Sequence, residues 1–166
     1  MSVKKLSLAG ILVAAGVVCS AFSIPIGVAR VFPVQHFINV LAGVVLGPVY
    51  GVAMAFVTSL IRNLSGTGSL LAFPGSMCGA LLCGLLYRYT RKLGFAFAGE
   101  VIGTGIVGAL LAYPVAALLL SSKAAFYGFI LPFTLSSMAG AVISVLLLLS
   151  LQKTGILHRM MSEQQR

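Results

Sequence analysis

Long apolar runs alternate with short polar or proline-containing breaks along the chain, a pattern that predicts membrane-spanning helices. About 20 apolar residues span a bilayer, and fewer suffice when neighbouring helices shelter the segment. The predicted helices cover residues 6–24, 35–46, 50–64, 70–87, 95–120 and 125–151, and a short polar tail follows over residues 152–166. We therefore expect one all-α transmembrane domain over residues 1–166, folded as a six-helix bundle.

The breaks between these runs have recognisable turn chemistry. Residues 26–34 are expected to form a loop, interrupted by Pro25 and Pro33. Gly47-Pro48 divides a run too long for one helix, because Pro48 lacks an N–H and clashes with the preceding turn. Residues 65–69 and 121–124 are predicted to be short connections.

The composition supports a membrane protein. The chain of 166 residues is 60% hydrophobic and 8% charged, with a mean hydropathy of +1.12. Soluble domains carry roughly 25% charged residues. The basic start and apolar run to Ala21 resemble a signal peptide, with GVVC at 16–19 like a lipoprotein cleavage site. Since similar runs follow throughout, we interpret this segment as a retained first helix.

The basic residues predict how the helices are oriented. Six spans place both termini and the turn at 88–92 on the same side of the membrane. That side holds Lys4, Lys5, Arg88, Arg91, Lys92, Lys153, Arg159 and Arg166; the other holds Arg30, Arg62 and Lys123. Because Lys and Arg concentrate on the inner side, both termini are predicted to be cytoplasmic in a prokaryotic plasma membrane. The formal charge of +9 does not indicate nucleic-acid binding, because the basic residues form no dense patch.

Polar side chains inside the predicted spans collect at one depth. With this topology, residues 28–39, residues 62–69 and the outer halves of helices five and six all reach the outer face. Such groups are costly in lipid and therefore indicate function, and several segments meeting at one depth favour a small-molecule pocket. The candidate substrate-binding residues are Gln35, His36, Asn39, Arg62, Asn63, Thr67, Phe73, Tyr113, Phe133 and Ser137.

Each polar residue also has a structural interpretation, which stays open at this stage. Ser65 and Ser136 are residues of the type that caps helices, and His36 is as readily structural as functional. Arg62 either extends to the lipid headgroups or directs its planar donors at a ligand acceptor.

Glu100 and Thr104, one turn apart, have no assigned role. Glu100 is expected near the cytoplasmic start of its helix, most of a bilayer away from Arg62. The expected partners of Glu100 are therefore Arg88, Arg91 or Lys92, or a partner protein.

Small residues recur at helical spacing in several spans, for example Gly75-x3-Gly79 and Ser136-x3-Gly140-x3-Ser144. Such stripes let membrane helices approach closely. Most are expected to pack the bundle itself. The first helix has more smooth surface than one packing seam requires, and Ala9, Gly10 and Ala14 are its predicted partner-docking residues.

No catalytic or energy-coupling motif is visible. GTGS at 66–69 lacks the lysine of a phosphate loop and follows no strand. The three cysteines have no partner at metal spacing, and no carboxylate pair or activated nucleophile is present. We therefore expect no enzyme activity, no cofactor and no metal, and infer a binding subunit powered by other proteins.

Three longer blocks carry a family resemblance: FPVQHFINVLAGVVLGP, SLIRNLSGTGSLLAFPGSMCGALL and GEVIGTGIVGALLAYPVA. They resemble the ThiW family closely, over roughly residues 6–150. The resemblance implies a substrate-binding S component of an energy-coupling factor (ECF) transporter, with hydroxyethylthiazole held near the outer face. It also implies assembly with a transmembrane T component and two ATPase subunits. S components commonly present small residues of helix one to the T component, and Gly10 and Ala14 stand where an Ala-x3-Ala pair is usual.

Three other functions remain open on the residues alone. The same architecture suits another vitamin precursor, such as the pyrimidine half of thiamine. A self-sufficient permease needs no ATPase partner. An intramembrane enzyme has no catalytic constellation in its favour.

Overall fold

The computed structural model describes residues 3–21, 23–26, 29–119 and 127–165, whose regular secondary structure is helical apart from one small hairpin. The helices are α1 (Val3–Val18), α2 (Pro33–Val45), α3 (Pro48–Leu64), α4 (Ala72–Thr90), α5 (Leu93–Ile102), α6 (Ala109–Leu119), α7 (Ile130–Lys153) and α8 (Ile156–Gln165). The hairpin strands are β1 (Ile24–Ile26) and β2 (Ala29–Val31).

Described helices overlap each of the six predicted spans, with α5 and α6 forming one continuous helix, Leu93–Leu119, although their ends differ and residues 120–126 lie outside the described part of the chain. Among the described residues, three helices are long and apolar enough to cross a membrane by length and composition: Val3–Ala21, Leu93–Leu119 and Ile130–Lys153. The number of membrane crossings and the cytoplasmic placement of both termini remain predictions. Within the bundle, α4 packs against α2, α3 and α5, and α7 packs against α2.

The distribution of polar and apolar side chains supports a membrane setting. Large apolar side chains face outward, including Leu64 at 80% exposed and Leu118 at 81%. Arg62 and Glu100, by contrast, are 1% and 0% exposed. A water-soluble protein hides apolar groups and exposes charged ones, so this reversed arrangement indicates that lipid is the solvent.

The segment predicted to be a loop over 26–34 instead contains most of the hairpin, so the loop prediction is wrong there. Ile24 lies opposite Val31 in the antiparallel pair. Pro25 is compatible with a strand here because a two-stranded sheet consists only of edges, where a missing N–H is tolerated. The next proline, Pro33, does not extend the break but starts α2, since its fixed φ suits the first helical position.

The predicted break at Gly47-Pro48 coincides with the turn between α2 and α3. Gly47 has φ 92°, a left-handed conformation that favours glycine, and Pro48 is the first residue of α3. Only two residues therefore separate the end of α2 at Val45 from the start of α3 at Pro48.

The segment predicted to be a short polar tail over 152–166 contains a further helix, α8, which was not among the predicted helices. Leu157 is buried, and Met160 and Met161 pack against the core. These apolar residues recur at helical spacing on one face of an otherwise polar segment. The high average polarity of residues 152–166 does not reveal this apolar face.

The long helix Leu93–Leu119 contains a π-helical segment, Gly103–Gly108, between α5 and α6. Glycines let this segment approach other backbones: a Cβ added at Gly103 would lie 2.6 Å from the Cys78 carbonyl oxygen of α4. Such single-turn π segments occur frequently at functional sites. Thr104 lies within it and faces the polar cluster described below.

Candidate functional site

Arg62, in the last turn of α3, is enclosed by Gln35 of α2 and by Phe32, the residue that precedes α2. Its Nη1 donates a hydrogen bond to Gln35 Oε1 at 2.7 Å. The Phe32 ring covers the guanidinium, with 3.8 Å between the Arg62 Cζ and the ring centroid. Cation–π contact of this kind is worth more when both groups are desolvated. The interpretation of Arg62 as a headgroup-reaching arginine is therefore wrong, because its side chain is 1% exposed.

The Arg62–Gln35 pair leaves donors unused. Arg62 Nε, Arg62 Nη2 and Gln35 Nε2 are buried and have no hydrogen-bond partner within the part of the chain that the structure describes. A buried donor without an acceptor costs about 1–3 kcal/mol, and more for a charged group. Three such donors on two paired side chains are therefore available to an acceptor that the described residues do not provide.

A second cluster surrounds Glu100 of α5, directly beside the first because His36 follows Gln35 on α2. His36 Nδ1 lies 2.8 Å from Glu100 Oε1. Asn39 Nδ2 and Thr104 Oγ1 both donate to the same oxygen at 3.1 Å. Three groups thus share one carboxylate oxygen, while Glu100 Oε2 is buried without a partner among the described residues.

The expected pairing of Glu100 with Arg88, Arg91 or Lys92 is wrong. In the topology predicted from sequence, His36 and Glu100 lie near opposite faces of the membrane. However, α2 has 13 residues and spans only about 20 Å. His36 and Asn39 therefore lie deep enough to meet Glu100, which lies seven residues into α5.

Polar residues that the sequence analysis did not single out extend this cluster into α3 and α4. Asn39 Nδ2 also donates to the Ser76 carbonyl oxygen at 3.1 Å, and Ser59 Oγ lies 3.1 Å from Ser76 Oγ. Thr104 Oγ1 donates to the Gly75 carbonyl oxygen at 3.2 Å. Ser59 lies one turn before Arg62, and that shared helix face was the available signal.

The remaining predicted residues lie around these clusters rather than in them. Asn63 is half-buried and does not join the Arg62–Gln35 pair. Thr67 Oγ1 lies 2.9 Å from Ser20 Oγ and donates weakly to the Arg62 carbonyl oxygen, so it fastens the loop after α3. Phe73 packs edge-on against Phe56, with ring centroids 5.6 Å apart.

Helices α6 and α7 contribute the last three predicted residues. Phe133 lies against Phe129, with centroids 6.1 Å apart, and close to Gly75 of α4. Ser137 is fully buried and donates to the Thr134 carbonyl oxygen, while Tyr113 is half-buried. Phe133 thus reaches the edge of the Glu100 cluster at Gly75, whose carbonyl oxygen accepts from Thr104.

The predicted docking residues of α1 have different environments. Gly10 and Ala14 are exposed, and a Cβ at Gly10 would meet nothing within 4 Å. Ala9 is 7% exposed and belongs to the core of the bundle. The free surface of α1 therefore includes Gly10 and Ala14 but not Ala9.

Close contact between α4 and α5 holds the Glu100 cluster, and this gives a first prediction. A Cβ at Gly79 would lie 2.7 Å from Glu100 Oε1 and would clash with Thr104 Oγ1. We expect Gly79→Ala to lower the free energy of unfolding by about 1–3 kcal/mol, the usual cost of overpacking. Thermal unfolding of the purified protein measures this change.

The matched control is Gly94→Ala, also in a helix, where a Cβ would meet nothing within 4 Å. Removing glycine from a helix favours folding by roughly 0.5–1 kcal/mol. Equal midpoints for the two variants would contradict the close packing of α4 on Glu100.

Comparison with known proteins identifies the family. The family model described as thiamine-precursor transporter protein (ThiW) matches residues 6–154. The chain belongs to the ThiW family. A search of curated proteins finds no match. ThiW membership indicates a thiamine-precursor transporter, and the apolar exterior agrees with a membrane setting. Among the described residues, no three His, Cys, Asp or Glu side chains are grouped to hold a metal ion.

Proposed function

We propose that this ThiW protein is the substrate-binding S component of an ECF importer and that its ligand is hydroxyethylthiazole. The observation that carries the proposal is the set of unpaired donors on Arg62 and Gln35 beneath Phe32. A transporter site must hold its solute by a few directional groups inside an apolar surround. This is the place in the described chain where such groups are concentrated.

The chemistry of hydroxyethylthiazole suits these donors. Its ring nitrogen is an acceptor, its hydroxyl both accepts and donates, and its aromatic face packs on rings such as Phe32. Arg62 Nη2 or Gln35 Nε2 would donate to the nitrogen or the hydroxyl. Arg62 is already partly compensated by Gln35 and the Phe32 ring, so the ligand need not carry a negative charge to occupy its remaining donors.

The Phe32 ring covers Arg62 near the end of the bundle that the topology predicts to be extracellular. Phe32 follows β2 directly, and its backbone N–H donates to Ser136 Oγ of α7 at 2.9 Å. Opening of this contact would move the ring away from Arg62. We propose that ligand enters there, beneath the segment that follows α1.

Energy would come from a T component and two ATPase subunits. Of the three helices long enough to span, α1 buries the smallest share of its residues. Its exposed Gly10 and Ala14 provide a smooth surface on which another membrane helix can pack closely. We propose that this face of α1 docks the T component.

Binding to the isolated protein tests the proposal directly. We expect isothermal titration of the purified chain to detect hydroxyethylthiazole binding without any ATPase subunit, and vesicle uptake to require those subunits. The thiamine pyrimidine and the phosphate ester of the thiazole serve as competitors. Preference for the pyrimidine would replace the ligand, and uptake into vesicles without ATPases would replace the mechanism.

A further inference from the structure

A second polar site lies at the opposite end of the bundle from Arg62. A partly open cavity of about 390 Å³ is formed where α1 begins, α2 turns into α3 and α4 ends. Its wall includes Pro48, the first residue of α3, whereas Arg62 lies fourteen residues further along the same helix, about 21 Å away. The cavity is therefore separate from the proposed thiazole site.

The charged groups on this cavity have one sign. Lys5 of α1 and Arg88 and Arg91 at the end of α4 line it. No carboxylate is among its lining residues, and none of these three cations has an ion pair within the described residues. Because α2 ends and α3 begins here, their helix dipoles oppose each other. The positive potential of the cavity therefore comes from the three side chains.

A nearly buried hydroxyl also reaches the cavity. Tyr87 is 7% exposed, and its hydroxyl donates only to the Met161 sulfur at 3.8 Å within the described structure. A thioether is a weak acceptor. Tyr87 and Met161 both line the cavity, so this hydroxyl is available to a stronger acceptor there.

Together, three unpaired cations and a hydroxyl donor describe a receptor for a phosphate group, which offers negative charge and several acceptor oxygens. The volume lies within the range of small-molecule sites, which is about 300–1,000 Å³. It is large enough for more than an inorganic anion.

The apolar part of the wall identifies the source of that phosphate. Val44, Val45 and Leu46 line the cavity but are nearly buried, so the apolar surface beside the cations is mainly that of Val49, which is 76% exposed. Apolar surface next to a cationic cavity at the ends of membrane helices fits a lipid, whose acyl chains and headgroup meet at this depth. We propose that this cavity binds the phosphodiester headgroup of an anionic phospholipid of the inner leaflet.

Thermal unfolding of the delipidated full-length protein in neutral detergent tests the site. Phosphatidylglycerol is titrated against phosphatidylcholine with the same acyl chains. We expect phosphatidylglycerol to raise the unfolding midpoint, and phosphatidylcholine to leave it nearly unchanged. Equal shifts from the two lipids would overturn the proposal.

Two further arms use the soluble headgroup, glycerol 1-phosphate, and inorganic phosphate. Neither is expected to reproduce the shift at the same concentration, since the apolar wall contributes to lipid binding. If either did so, the site would bind a soluble phosphate compound, and the assignment to lipid would be wrong.

Charge-neutral variants locate the effect. The double variant Arg88→Gln, Arg91→Gln is expected to weaken the apparent affinity for phosphatidylglycerol about 30-fold, and Lys5→Gln alone about fivefold. The matched control is Lys153→Gln, Arg159→Gln, which removes two exposed charges that do not line the cavity. The same loss in the control would show diffuse attraction to the membrane surface and would overturn the proposal.

Folding of the variants does not obscure the result. Arg88 and Arg91 are exposed, and neither side chain makes a described hydrogen bond. The double variant should therefore unfold at the unsubstituted midpoint without lipid. If it does not fold, Lys5→Gln, on a different helix, decides the question by the same titration.

Discussion

Replacing Glu100 by alanine is expected to lower the free energy of unfolding by about 3–5 kcal/mol, because it removes one partner of a buried pair. The three groups that share Glu100 Oε1 are not affected equally. Asn39 and Thr104 keep the carbonyl oxygens of Ser76 and Gly75 as acceptors. His36 Nδ1 loses its described partner, so most of the cost is expected to fall there.

The chain provides its own reporter for this measurement. Cys83 is 0% exposed, whereas Cys19 and Cys78 are half-buried. With Cys19 and Cys78 replaced by alanine, a thiol-reactive dye reports the exposure of Cys83 as the bundle unfolds. Glu100→Gln keeps a carbonyl oxygen as acceptor and should retain much of the lost stability. The control is Glu163→Ala in α8, the other acidic residue of the chain.

A double-variant cycle separates a specific pair from general damage to the core. If His36 is left unpaired in Glu100→Ala, then adding His36→Ala should cost less than His36→Ala costs alone. Strict additivity of the two substitutions, or a midpoint for Glu100→Ala equal to that of Glu163→Ala, would contradict the proposed role of the carboxylate.

The second large effect is expected at Arg62. Arg62→Ala removes two of the three unpaired donors and should weaken hydroxyethylthiazole binding about 10- to 100-fold, the value of one hydrogen bond from a charged group. Arg62→Lys keeps the charge but has no planar fork to donate to Gln35 and the ligand together. Its affinity should therefore lie closer to that of Arg62→Ala than to that of the unsubstituted protein. Isothermal titration measures all three proteins.

Two further variants separate a lost binding group from a damaged fold. Gln35→Glu gives Arg62 an anionic partner and removes the unpaired Gln35 Nε2, so binding should weaken while the unfolding midpoint does not fall. Arg159→Ala removes an exposed cation of α8 and should leave affinity unchanged. Unchanged affinity in both Arg62→Ala and Gln35→Glu would remove this pair from the binding site.

Turn chemistry made parts of this fold predictable from sequence. Gly47 and Pro48 have strong local preferences, and the turn falls at those residues. The hairpin was missed because each strand has three residues, too few to show a period of two. Helix α8 was missed because only Leu157, Met160 and Met161 reveal its apolar face.

The candidate site was likewise predictable from sequence only in part. The sequence indicated that Gln35, Asn39 and Arg62 would lie at one depth because unpaired polar groups are costly in lipid, and the structure pairs Gln35 with Arg62 but Asn39 with Glu100. It did not indicate which carboxylate would meet His36, since that depends on the short length of α2 and the depth of α5. Depth along neighbouring helices is a property of packing, and one helix's sequence does not contain it.

The π-helical segment at Gly103–Gly108 determines how α6 is rotated about the helix axis relative to α5 in the longest described helix. A π segment holds one residue more than the α-helical path between the same ends, and each residue of an α-helix turns the chain by about 100°. Deleting one residue from this segment would therefore restore a continuous α-helix. The residues after it would keep the same orientation relative to α5. The π segment thus allows the helix to gain or lose one residue without turning Tyr113 to a different side of the bundle.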